Sequence, residues 1–110
     1  MKLPNPDRAI IDIHKLSNYC LNLEHPDGQH KARVFKSALG ISLGNAEELR
    51  LALLQAIQVH DAIPDKRNQY GQKYIVDFTM NRAKQRAIIH SVWIVRYIEE
   101  NPRLVTCYVL

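Results

Sequence analysis

Few residues in this chain are of types and spacings suited to chemistry. His30 and Lys31 stand just after Gly28, within a turn of Arg33. At the start of a helix the backbone dipole favours the neutral imidazole, so His30 could act as a base near neutral pH. Read without chemistry, the two are exposed first-turn polar residues. His90 and Ser91 interrupt a run dense in Ile, Val and Trp. A histidine inside such a strand is either a satisfied, half-buried group or a residue displayed on the open face of a sheet, because burial without a partner costs too much. Near the end of the chain Arg103, Val105, Cys107 and Val109 alternate with Leu104, Thr106, Tyr108 and Leu110. Strand alternation then points Thr106 and Tyr108 the same way. Their hydroxyls could hold a phosphate or help to move a proton; the plain alternative is a core tyrosine and a β-forming threonine. Trp93 and Tyr97 could stack on bases, although the ordinary reading puts Trp93 in the core.

Other chemistries lack their residues. Cys20 and Cys107 are far apart and form no CxxC pair, so both read as reduced core residues rather than a disulfide or a metal site. The histidines at 14, 25, 30, 60 and 90 show no HxxxH or HExxH spacing, which predicts no preformed zinc site. There is no glycine-rich phosphate loop, no GxSxG elbow and no spaced carboxylate dyad involving Asp77, Glu99 and Glu100. A chemistry without metal or cofactor fits best. Charge points to the class of partner. Residues 61–110 hold eight of the 15 basic and five of the 11 acidic residues, and the stretch from Met80 to Ile98 contains Arg82, Lys84, Arg86 and Arg96 but no acid. That suits an anionic partner such as a nucleic acid; a solvated cationic rim is the bland reading of a net charge of only +4.

Such residues need a scaffold, and 110 residues make one domain, 1–110. The start, with its prolines and Asp7, lacks the apolar run of a signal peptide, and no stretch is apolar enough to span a membrane; the expected location is the cytoplasm. Asp12 is a candidate N-cap for a helix over about Ile13 to Leu21, with Ile13, Leu16 and Cys20 on one face. A turn at His25 to Gly28 leads into a second helix, about Gln29 to Leu39, closed by Gly40 and burying Ala32, Phe35, Ala38 and Leu39. Asn45 and Glu48 form a capping-box-like start for a third helix, about Ala46 to Val59, with Leu49, Ala52, Leu53, Ala56 and Ile57 inward. After a charged connector from Ile63 to Tyr70, with room for a short edge strand, strand patterns follow over Lys73 to Met80, Ala87 to Arg96 and Arg103 to Val109. The prediction is an α+β fold, with about three helices on one face of a three- to four-stranded antiparallel meander.

The runs LPNPDRAIID, YCLNLEHPDGQHKARVF (19–35), YGQKYIVDF (70–78), SVWIV and PRLVTCYVL resemble, over Leu3 to Leu110, a small bacterial family of uncharacterised domains. Its members look like free-standing short proteins and like the C-terminal tips of polymorphic toxins. The helices-then-meander order is similar to the barnase, EndoU, colicin and RelE group of metal-independent ribonucleases. The resemblance implies RNA cleavage by attack of a 2′-hydroxyl on the adjacent phosphate, leaving a 2′,3′-cyclic end. It implies His30 as base or acid, Lys31 as the cation on the phosphate, and Thr106 and Tyr108 as hydroxyls at the scissile group. Arg33, Arg86, Arg96 and Arg103 would position the RNA backbone. In the family that the chain resembles, arginine tends to stand where His90 does, so the resemblance implies that His90 is either a second proton carrier or a weakened phosphate contact.

Two functions compete on this basis. One is a ribonuclease toxin acting on transfer RNA or another structured RNA, neutralised by a small cognate antitoxin or immunity protein. The other is a non-catalytic protein- or RNA-binding module, an adaptor or antitoxin-like member of a small bacterial gene pair.

Overall fold

The computed structural model describes residues 1–110. A 3-10 turn (Pro6–Arg8) precedes a single α-helical turn, α1 (Ile13–Lys15), capped by the Asp12 carboxylate, which accepts from the His14 N–H at 3.0 Å. The helix expected over about Ile13 to Leu21 is present as far as Cys20, but its winding changes after one turn. From Leu16 to Cys20 the chain widens into a π-helical turn closed by the Leu21 N–H on the Leu16 carbonyl at 2.8 Å. Leu16, Cys20 and Leu21 are thereby all buried, which explains a wide turn where residue propensity alone favours none.

Helix α2 (Gln29–Leu39) ends at Gly40, whose φ of 65° is the left-handed cap that glycine supplies. Helix α3 (Ala46–Val59) follows a 3-10 turn, Leu43–Asn45. The capping box lies one step earlier than the sequence suggests, between Ser42 and Asn45, while Glu48 turns away to pair with Arg82. Strands β1 (Ile63–Arg67), β2 (Gly71–Arg82), β3 (Gln85–Arg96) and β4 (Pro102–Val109) form one antiparallel sheet in the order β1-β2-β3-β4. The charged connector thus does begin as an edge strand. No helix is long and apolar enough to cross a membrane.

The helices cover one face of the sheet. Phe35, Leu39, Leu49, Leu53 and Ile57 meet Val76, Phe78, Ile89 and Trp93 in a common core. Trp93 is fully buried, and its indole N–H donates to the Ser91 hydroxyl at 2.9 Å, which donates to the Val76 carbonyl at 2.5 Å. The tip of the β2–β3 hairpin grips the helix ends. Arg82 donates to the Leu39 and Gly40 carbonyls, both at 3.1 Å, and reaches both Glu48 oxygens, so it answers the open end of α2 instead of facing solvent with the other cations.

Arg82 pairs with Gln85, leaving a two-residue turn in which Ala83 has φ 54°. A side chain there costs roughly 1–2 kcal/mol relative to the right-handed region, a cost glycine avoids. Ala83→Gly is therefore expected to stabilise the domain by about 1 kcal/mol, read as a higher urea midpoint at unchanged slope. A lower midpoint would contradict this account of the turn.

Candidate active site

The register of the sheet aligns side chains in rows. Asp77 faces His90 on β3, and His90 faces Tyr108 on β4. By strand alternation these lie on the face opposite Val76, Ser91 and Cys107. One oxygen of Asp77 lies 2.7 Å from Nδ1 of His90, which leaves Nε2 as the ring atom available to a ligand. The His90 and Tyr108 rings are 4.9 Å apart between centroids, tilted by 37°. The next row is Ile75, Val92 and Thr106.

Strict alternation in β4 would put Leu104 on the side of Thr106 and Tyr108. The structure corrects this: the register shifts by one after the Val92–Thr106 pair, so that Trp93 meets Leu104. The extra residue is a β-bulge. Leu104 and Cys107 both turn into the core, while Thr106 and Tyr108 stay half-buried at the edge of the sheet.

Helix α2 brings Lys31 to that edge. Its Nζ donates to the Tyr19 hydroxyl at 2.9 Å and to the Thr106 hydroxyl at 3.1 Å. It also sits 4.6 Å from the Tyr19 ring centre and 5.5 Å from that of Tyr108, a cation held between two aromatic rings. Two of its three N–H groups are used by protein hydroxyls, and the third is free for an anion. Close approach of the π-helical turn to α2 makes the meeting of Tyr19 and Lys31 possible: a Cβ on Gly28 would run into the Tyr19 carbonyl.

The cluster therefore joins Lys31, Thr106, Tyr108 and His90, four of the five residues singled out for chemistry in the sequence. His30 stands outside it, exposed on the first turn of α2 and making no hydrogen bond to its members. Tyr19 and Asp77 belong to it and were not singled out. Asp77 was discoverable from the turn, because a two-residue loop at Ala83 and Lys84 fixes the register that sets Asp77 against His90. Tyr19 carries no comparable signal.

Beneath the cluster lie Cys20 and Cys107, both free and fully buried, with their sulfurs 3.9 Å apart. Cys20 is also 3.9 Å from the Thr106 hydroxyl. Hydrogen bonding from Cys107, opposed by burial and aided by Thr106 and Lys31, lowers the Cys20 thiol from its ordinary value. The Cys107 thiol is pushed up by Cys20 and by burial.

Of the four arginines expected to hold RNA, Arg33 and Arg86 are exposed. Arg96 and Arg103 both contact Glu99, at 3.3 and 2.9 Å. Arg103, and then Arg96, hold the Glu99 carboxyl below its ordinary value. Their charge is thus shared with one acid, which the sequence, with Glu99 beyond the acid-free stretch, did not reveal.

One chain of a contact-dependent growth inhibition toxin–immunity protein complex from Klebsiella pneumoniae 342 has a similar fold, with a TM-score of 0.71 at 16% identity, covering 92% of this chain and 99% of that one. Identity this low establishes the shared fold alone. No curated protein matches the sequence. Residues 2–110 match the family model described as Domain of unknown function (DUF6883), and the chain belongs to that family.

Proposed function

We propose that this domain is a metal-independent endoribonuclease, the toxic member of a toxin and immunity pair, which cleaves transfer RNA or another structured RNA to leave a 2′,3′-cyclic phosphate. The observation that carries the reading is the continuous run Asp77, His90, Tyr108, Lys31, Tyr19, which crosses the sheet from β2 through β3 to the β4 edge. It has a base at one end and an acid at the other, with a cation between them.

In this reading Nε2 of His90 takes the proton of the 2′-hydroxyl, and Asp77 orients the ring and steadies the imidazolium that forms. The 2′-oxygen bonds to phosphorus. The free N–H of Lys31 and the Thr106 hydroxyl donate to the phosphoryl oxygens as negative charge builds. The bond from phosphorus to the 5′-oxygen then breaks, and that oxygen takes the Tyr19 proton, Lys31 stabilising the phenolate left behind. His30, on the exposed side of α2, acts with Arg33 and Arg86 on the RNA backbone, not in proton transfer. The fold shared with a chain of a toxin–immunity complex supports the paired role, in which a small protein partner covers this edge of the sheet.

Incubation of the purified protein with total cellular RNA in EDTA tests the proposal. Discrete products with 2′,3′-cyclic ends are expected. His90→Ala should reduce their rate by roughly 10²–10⁴-fold, the usual worth of a positioned acid–base group, while His30→Ala stays within a few-fold of wild type. Intact RNA together with unimpaired growth on high expression would instead assign the chain the immunity-like, non-catalytic role.

A further inference from the structure

Farther along the same open face lies a concavity. A cavity of about 720 Å³ is lined by Lys15, Lys73, Arg96 and Arg103 together with Tyr70 and Tyr97. Lys73, Ile94 and Arg103 form a cross-strand row, with Gly71 and Arg96 paired beyond it. Ile94 follows His90 by four residues on β3, or about 13 Å at the usual strand rise. Only one cross-strand row separates His90 from Ile94, and of its members Ile75 and Val92 are apolar while Thr106 belongs to the cluster itself.

Two features distinguish this cavity from a solvated rim. Its charge is unbalanced: four cations face Asp12, whose carboxylate caps α1, and Glu99, which bridges Arg96 and Arg103. Four minus two leaves an excess of two positive charges. Its aromatic residues are also left open. Tyr70 and Tyr97 adjoin where β2 begins and β3 ends, joined by the Tyr97 N–H to the Tyr70 carbonyl at 3.0 Å, and both are over half exposed, at 63% and 60%. Cations next to unoccupied aromatic faces fit a ligand with an anionic backbone and a flat, unpaired base.

We propose that this cavity holds an unpaired nucleotide of the RNA strand that passes the Lys31 and His90 cluster, with its base on Tyr97 or Tyr70 and its phosphate on Arg96 and Lys73. The neighbouring cleavage rests on the ribonuclease reading above; the binding does not. The cut then falls in an unpaired segment, a loop or an end, because a base within a duplex offers no free face to the tyrosines.

The probe is a fluorescein-labelled 2′-O-methyl oligoribonucleotide, which lacks the nucleophile and survives incubation, beside a blunt-ended duplex formed by the same strand and its complement. Anisotropy should give tighter binding of the single strand. Tyr97→Ala should weaken it roughly 10- to 100-fold and leave the duplex within a factor of three, whereas Tyr97→Phe keeps the ring and the affinity. Arg96→Ala should flatten the slope of log affinity against log salt by about 0.7. Thermal melting establishes that each variant is folded.

No binding of the single strand, equal weakening of strand and duplex, or unchanged binding by Tyr97→Ala would overturn the proposal. So would a Tyr97→Ala effect confined to capture of a protein partner. The two readings fail separately. Binding lost in Tyr97→Ala without any RNA cleavage by wild type keeps the nucleotide site and removes the nuclease; cleavage with unchanged KM in Tyr97→Ala does the reverse.

Discussion

Lys31→Met is expected to lower kcat for RNA cleavage by roughly 10²–10³-fold, the cost of removing one donor aimed at developing charge, with a much smaller change in KM. The physical reason is where the ammonium sits. It is half-buried at the sheet edge, between the Tyr19 and Tyr108 rings, and holds both the Tyr19 and Thr106 hydroxyls. In the proposed cleavage such preorganised charge would need no rearrangement as the phosphorane forms. Methionine keeps the length and apolar contact of the stem, so the domain should remain folded. Lys31→Arg should not restore the rate, because a planar guanidinium cannot direct one compact charge at both hydroxyls and a phosphate. Steady-state kinetics on a defined oligoribonucleotide, with melting as the control, provide the check. A kcat within a factor of three of wild type in Lys31→Met would remove Lys31 from the reaction.

The largest expected loss of stability lies on the inner face of β3, the strand that carries His90. Trp93→Ala should cost about 3–5 kcal/mol, as large aromatic deletions from full cores do, which is much of the roughly 5–15 kcal/mol that holds an average domain together. Ser91→Ala tests the polar half of the arrangement. It leaves the buried indole N–H without its acceptor, at a cost of about 1–3 kcal/mol. In the double variant Ser91→Ala, Trp93→Phe the orphaned donor is gone, so its cost should fall short of the sum of the two single changes. Urea unfolding of the four proteins measures this. Strict additivity would mean that the hydrogen bond carries no coupling. Because Ser91 adjoins His90 from the inner face of β3, Ser91→Ala should lower activity only in proportion to the folded fraction. A fall in kcat per folded molecule would mean that the core also tunes the position of His90.

Much of the fold was legible in the sequence because its signals are local. Helices α2 and α3 follow from apolar residues recurring at helical spacing and from the Gly40 stop; β2 and β3 follow from alternation and from a chain too dense in Ile and Val to be helical. Short connections then force an antiparallel meander. The first helix lies where its apolar spacing places it, but its winding is not legible there, for a related reason. A π-helical turn has no residue signature, since its wider winding is set by the need to bury Leu16, Cys20 and Leu21 together.

The candidate site divides along the same line. Residue type and position marked Lys31, His90, Thr106 and Tyr108. Strand order and register decided that His90 meets both Asp77 and Tyr108. A bulge in β4 decided that Thr106 and Tyr108 stay at the sheet edge while Leu104 turns inward. His30 and Lys31 are sequence neighbours, yet one faces solvent and the other the cluster, because successive residues on a helix point about 100° apart. The sequence by itself determined the helices, the strands and the types of side chain available for chemistry, since these depend on neighbours along the chain. Only the tertiary structure decided which of those side chains meet, since that depends on register, on the bulge and on the close packing of Gly28 against Tyr19.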